Sequence, residues 1–248
     1  MDGKVRRKVP AGPGQAGKEP GQAGKEPDGG PSGALGPGLS ARKARALEII
    51  DYFDRRYPDP KCGLVFSDPF GLLVSTILSA QCTDKRVNLV APPLLKAFPD
   101  PASMAAAPEG AIEELVKTCG LYRAKAKNIR AAAKILASVY QGRVPADLES
   151  LTSLPGVGRK TANVVLGDGF GVPGLTVDTH LGRVSRRLGL SSKADALGVE
   201  RDLSELVPKR LWTRFSHQGI SHGRELCRAR RPLCSDCGLV SCPAREGA

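Results

Sequence analysis

An all-α fold is what this sequence predicts, and three observations carry it. Apolar residues recur at helical spacing from Ala41 onward, strand signals are scarce, and a Pro-Gly-Val-Gly segment at 155–158 separates two helical runs. Residues 1 to 40 precede that pattern. They are rich in Gly and Pro, with Pro-Gly-Gln-Ala-Gly-Lys-Glu repeated in tandem at 13–19 and 20–26. Such a segment buries too little apolar surface to offset its ordering entropy, so a disordered, basic tail is expected there.

The first helix is expected around Ala46, Ile49, Ile50 and Phe53, which fall on one helical face. Pro69 to Ala80 is almost wholly apolar and reads as a buried helix. Asp84 stands before Lys85 in the position of an N-cap. Leu89 to Phe98 contains Pro92-Pro93, which predicts one helix ending and another starting. Pro108-Glu109-Gly110 leads into an amphipathic run through Ile112, Leu115 and Val116 that stops at Gly120. Ala124 to Tyr140 predicts a long Ala-rich helix with a basic face. Leu148, Leu151 and Leu154 then set a short helix, a second runs on through Thr161, and Pro155 to Gly158 form the hairpin turn. A further helix follows Asp178, through Val184 and Leu188.

Charge points to the partner. The 248 residues carry 37 Lys plus Arg against 25 Asp plus Glu, a net charge of +12, which suits a polyanion. Part of that surplus lies off the fold, since residues 1 to 45 hold nine basic and four acidic side chains. Aromatic residues at 4% are too few for a single-strand binder built on base stacking, so duplex DNA gripped through phosphates fits better. No apolar run reaches the eighteen residues of a membrane span, and no membrane partner is expected.

The hairpin concentrates the chemistry. Gly156 and Gly158 lack Cβ atoms and let the amides around Val157 and Arg159 close on a phosphate oxygen, a contact that positions DNA without reading bases. Lys160 falls on the first turn of the second helix, where it is either a phosphate-binding ammonium or a nucleophilic amine. The nucleophile needs a site that disfavours the ammonium, and Arg159 beside a helix N-terminus supplies part of one. Asp178, eighteen residues on, is either a helix cap or the carboxylate that takes a proton; one side chain can do both. His180 either orients Asp178 or packs in a helix.

Cys227, Cys234, Cys237 and Cys242 lie within sixteen residues, spaced Cys-x6-Cys-x2-Cys-x4-Cys. A disulfide reading needs an oxidising compartment, and Met1 to Lys8 leads into no apolar signal segment. Metal is favoured, either tetrahedral zinc or a [4Fe-4S] cluster, and the compact loop suits the cluster better than the paired knuckles of a zinc ribbon. Arg228, Arg230 and Arg231 make the first gap a basic loop. Cys62, Cys82 and Cys119 have no neighbouring ligand spacing and read as structural.

Together these segments resemble the endonuclease III family of DNA glycosylases, in the helix-hairpin-helix superfamily. The resemblance spans roughly Ala41 to Pro243. It rests on Leu-Pro-Gly-Val-Gly-Arg-Lys-Thr-Ala (154–162), Val-Asp-Thr-His (177–180), Leu-Ser-Ala-Gln-Cys-Thr-Asp (78–84), Gly-Leu-Tyr-Arg-x-Lys-Ala (120–126) and the four cysteines. It implies two helical domains flanking a DNA cleft, one of residues 62–172 and one of 41–61 with 173–245, the latter carrying a [4Fe-4S] cluster on the cysteines. It also implies a base-excision enzyme for oxidised pyrimidines in duplex DNA, with Lys160 attacking C1′ and Asp178 assisting base departure, followed by strand cleavage. Gln81 and Leu121 would enter the duplex, filling the space left by the flipped nucleotide and wedging the opposite strand, although for either residue taken alone a helix-end amide and an ordinary apolar residue after a Gly cap are the preferred readings. A bacterial-type cytoplasmic, nucleoid-associated monomer acting on damaged bases or abasic sites is expected. The last cysteine gap is four residues where the best-known members have five. The competing readings are a mismatch-specific adenine or thymine glycosylase of the same superfamily, and a non-catalytic helix-hairpin-helix module.

Overall fold

The computed structural model describes residues 38–247, so most of the expected tail lies outside the described residues. Among these residues there are helices, turns and loops but no strand. The helices are α1 (Leu39–Arg56), α2 (Pro69–Ser79), α3 (Asp84–Ala97), α4 (Pro101–Ala105), α5 (Ala111–Val116), α6 (Tyr122–Val139), α7 (Leu148–Thr152), α8 (Arg159–Val164), α9 (Thr179–Arg187), α10 (Ala196–Leu206) and α11 (Trp212–Glu225). None is long and apolar enough to cross a membrane.

Buried side chains gather into two apolar clusters. One runs from Leu64 to Leu166 and joins α2 through α8 around Leu72, Leu78, Met104, Ile129 and Leu136. The other joins α1 to α9, α10 and α11 around Ile49, Phe53, Leu181, Leu203 and Phe215. Local sequence explains the parts. In α2 the nine residues Phe70–Leu78 are all buried, and Asp68 caps the helix by accepting from the Gly71 amide at 2.9 Å. In α1 the buried face is Ala46, Ile49, Ile50 and Phe53, as the spacing predicts, though the helix already begins at Leu39.

Two expectations fail within α3. Pro92 and Pro93 lie inside one continuous helix rather than at a break. Each interior proline costs about 3 kcal/mol, but burial of Val87, Val90 and Leu94 returns about 1.5–3 kcal/mol apiece. Both prolines and Leu89 are exposed, so water can take the carbonyls left without amide partners. The cap is also one residue earlier than expected. Thr83 accepts from the Arg86 amide at 3.3 Å, while Asp84 is the first helical residue and its carboxylate turns to Arg224, 3.2 Å away on α11.

Candidate active site and four-cysteine pocket

The hairpin is built as the sequence implies, with α7 and α8 joined by a turn in which Gly156 has φ +79°. A Cβ on Gly156 would lie 2.8 Å from Cβ of Asn128, so this glycine lets the turn sit against α6. Val157 plays a different part from the one expected. Its side chain is buried and its amide donates to the Leu154 carbonyl at 3.1 Å, which closes the turn. Among the described residues the amides of Gly158, Arg159 and Lys160 meet no backbone carbonyl or side-chain cap, and they are the donors left for an anion. Arg159 is held by a bidentate pair with Glu200 on α10, Nε lying 2.9 and 3.0 Å from the two carboxylate oxygens.

Beyond α8 the backbone widens into a π turn, Val165–Gly169, and then runs as an irregular segment to Asp178. That segment is pinned from both sides. Asn163 Nδ2 donates to the Leu175 carbonyl at 2.8 Å, and the Thr176 amide donates to Ser216 Oγ at 2.9 Å. A Cβ on Gly174 would come within 2.3 Å of the Asn163 carbonyl oxygen, so glycine is required for this segment to lie on α8. Asp178 is thereby delivered to the side of the hairpin.

Lys160 and Asp178 line the same two pockets. One, about 490 Å³, also takes in Thr179, His180, Arg186 and Arg224. The other is bordered by Lys61, Asp84, Thr176, His217 and Arg224. Asp178 caps α9 with a single oxygen, Oδ1 accepting from the amides of His180 and Leu181 at 2.8 Å each. Its other oxygen, Oδ2, stays outside the cap. His180 contributes its amide to that carboxylate, whereas its ring Nδ1 lies 3.3 Å from Arg183. Arg224 on α11, which the sequence reading does not single out, borders both pockets. No local pattern marks it, because its partner Asp84 is 140 residues away.

Gln81 and Leu121 are exposed and both take left-handed backbone, with φ of 50° and 58°. Leu121 is 60% exposed although it is a large apolar residue. Arg228, Arg230 and Arg231 are exposed on the loop after α11.

The four cysteines border one cavity together with Leu188, Leu226, Leu233, Leu239 and His222. Burial pushes the Cys242 thiol up, and the other three cysteines add to the rise. Crowded thiols in an apolar pocket ionise only when cationic centres compensate them. Yet no three His, Cys, Asp or Glu side chains among the described residues stand close enough for one metal ion. Four cysteine sulfurs bordering one apolar cavity are a donor set whose chemistry suits a soft, thiolate-bound metal group. Arg187 and Arg183 on α9 brace the loop, reaching the Arg228, Ala229 and Cys227 carbonyls at 2.6, 3.0 and 3.1 Å. His222 packs among Tyr52, Phe53 and Tyr57, and burial brings it down to about 4.

An all-helical chain whose hairpin lysine shares two pockets with Asp178 belongs to a recognisable class: residues 74–209 match the HhH-GPD superfamily base excision DNA repair protein. Endonuclease III of Synechocystis sp. is 46% identical over 212 residues, 85% of this chain and 97% of that protein. Endonuclease III of Escherichia coli is 42% identical over 79% of this chain and 92% of its own length. A solved structure of a trapped endonuclease III–DNA covalent intermediate superposes with a TM-score of 0.79 at 42% identity, covering 83% of this chain and 97% of that one. A thermostable thymine-DNA glycosylase shares the fold, with a TM-score of 0.73 at 24% identity over 84% of this chain and 98% of its own. The chain belongs to the endonuclease III family within the HhH-GPD superfamily.

Proposed function

We propose that this protein is a base-excision DNA glycosylase with AP lyase activity, removing oxidised pyrimidines from duplex DNA and cutting the strand by β-elimination. The observation that carries the reading is that Lys160 and Asp178 border the same two pockets. Extruding the damaged nucleotide costs a few kcal/mol, least for bases already poorly paired, and brings C1′ to the Lys160 amine. Attack at C1′ displaces the base, and breaking of the C1′–O4′ bond then opens the sugar and leaves a Schiff base between Lys160 and C1′. The carboxylate oxygen of Asp178 outside the α9 cap offsets the positive charge that builds on the sugar and handles the amine proton.

The other residues hold the duplex. The Gly158, Arg159 and Lys160 amides receive a phosphate, with Gly156 and Val157 shaping the turn that presents them. Gln81 and Leu121 occupy the space the extruded nucleotide leaves, and Arg228, Arg230 and Arg231 offer charge to the backbone. Cys227, Cys234, Cys237 and Cys242 would hold a [4Fe-4S] cluster through their thiolates, and it would supply a cross-link between the residues after α11 and the C-terminal loop. The two apolar clusters support a division into a contiguous domain, 62–172, and a discontinuous one, 41–61 with 173–245. The protein acts as a monomer on chromosomal DNA in the bacterial cytoplasm.

Borohydride trapping on a duplex containing thymine glycol tests the reading. A covalent protein–DNA adduct with base release is the expected result. Excision of adenine opposite oxidised guanine, with thymine glycol left untouched, would replace it with a mismatch glycosylase, and binding without any adduct would leave a non-catalytic module.

A further inference from the structure

Asp168 and His217 form a carboxylate–imidazole pair that base release leaves unused. Asp168 lies on the π turn and His217 on α11, with Oδ1 and Nε2 2.8 Å apart. Only 11% of the Asp168 side chain and 13% of His217 are exposed. Oδ2 of Asp168 is buried with no hydrogen-bond partner among the described residues. Gly167 makes the pairing possible. A Cβ there would lie 2.5 Å from Oγ1 and 2.7 Å from Cγ2 of Thr213, so only glycine lets the π turn press against α11 one turn before His217. Single π turns inside helical segments are frequent at functional sites.

His217 borders the pocket shared by Lys160, Asp178, Asp84, Arg224 and Lys61, and Asp168 does not. A neutral imidazole paired through Nε2 with an ionised carboxylate donates its hydrogen there and keeps a lone pair on Nδ1, which is the tautomer the proposed role requires. The other bases on this pocket have different commitments: Asp84 is paired with Arg224 at 3.2 Å, burial chiefly pushes the Cys62 thiol up to about 11, and Asp178, with Oδ1 in the α9 cap, uses its Oδ2 for the amine proton of the preceding step.

We infer that His217, oriented by Asp168, accepts the C2′ proton in the strand-cleaving step. The inference rests on the Lys160 Schiff-base reading above. In that step the C2′–H bond breaks, its electron pair forms the C1′–C2′ double bond, and the iminium π pair moves to nitrogen. The nitrogen pair then returns, C2′ and C3′ become double-bonded, and the C3′–O bond breaks with its electrons leaving on the phosphate. Nδ1 of His217 takes the proton, directly or through one water, and passes it to solvent. Asp168 is a positioning residue that fixes the tautomer.

A preformed abasic duplex reads two quantities on one protein: adduct trapped by borohydride and strand cleaved without it. His217→Asn is expected to lower the cleavage-to-adduct ratio about 10²-fold with adduct yield kept within about twofold, as for a lost acid–base group. Asp168→Asn keeps the imidazole and is expected to lower the ratio about tenfold. An unchanged ratio in either variant, or parallel loss of adduct and cleavage, overturns the role. If His217→Asn fails to fold, the ratio for Asp168→Asn decides alone. Absence of adduct in the unaltered protein overturns the Lys160 reading itself, and this inference with it.

Discussion

Gln81 and Leu121 sit on touching turns: a Cβ on Gly120 would lie 3.3 Å from the Gln81 carbonyl oxygen, and both residues hold positive φ. Left-handed backbone costs a non-glycine residue about 1–2 kcal/mol, and it is retained here at two exposed side chains with no core to fill. Neither residue caps a helix with its side chain, Leu121 being the backbone N-cap of α6 without a side-chain bond. The strain therefore favours insertion into the duplex over the two local alternatives.

Leu121→Gly separates the functional account from a structural one. Relief of about 1 kcal/mol of strain offsets glycine's entropy cost of about 0.5–1 kcal/mol, so thermal unfolding should stay within a degree or two. Cleavage of duplex lesions should fall while action on an abasic single strand persists, because only the duplex has to be held open. Gln81→Ala should behave likewise. Equal losses on both substrates, with a lower melting temperature, would mean that these turns serve only folding.

Lys160→Gln removes the amine and leaves the hairpin amides in place. It is expected to abolish borohydride adducts and strand cleavage yet retain binding to lesion-containing DNA, measured by anisotropy. Asp178→Asn keeps an oxygen for the His180 and Leu181 amides, so α9 and the fold should survive. Base excision should drop by about 10²- to 10⁴-fold. Wild-type excision by Lys160→Gln would reduce Lys160 to a phosphate ligand.

Local signals made most helices legible, while the pairings around the pocket were not. The Ile49–Phe53 face, the all-buried α2 and the Asp178 cap each depend on residues within one or two turns, where periodicity and capping chemistry operate. Pro92-Pro93 misled because proline's penalty is local and the compensating burial is tertiary. Asp84 misled for a related reason: Thr83 took the cap, and a partner 140 residues away engaged the carboxylate. Asp168–His217 and Arg159–Glu200, 49 and 41 residues apart, carry no spacing signature either. The π turn that places Asp168 has no composition cue, although Gly167 and Gly169 on either side permit close packing.

Protein made under iron-replete, oxygen-protected conditions should be brown and contain about four irons with matching sulfide per chain. Substituting Cys237, on the short turn Cys234–Asp236 and its cap, should lose that colour and loosen the loop that Arg187 and Arg245 brace. One zinc per chain without sulfide would contradict the cluster and leave a single-ion site in its place.

The last expectation concerns Arg159, which the sequence offers as a phosphate ligand and the structure ties to Glu200. The pair is bidentate, with Glu200 largely buried and the arginine half exposed, so its net contribution to stability is modest, about 1 kcal/mol or less. Its effect on charge is larger, since a guanidinium already matched by a carboxylate has little to offer DNA. Glu200→Gln should therefore tighten DNA binding and steepen its salt dependence, adding about 0.9 to the slope of log K against log salt for one more phosphate neutralised. Arg159→Gln should leave the slope nearly unchanged. The two variants decide between a fixed clamp and an exchange: if Arg159→Gln instead flattens the slope by about 0.9, the arginine leaves Glu200 for a phosphate when DNA arrives. The hairpin would then grip DNA with a side chain as well as with its amides.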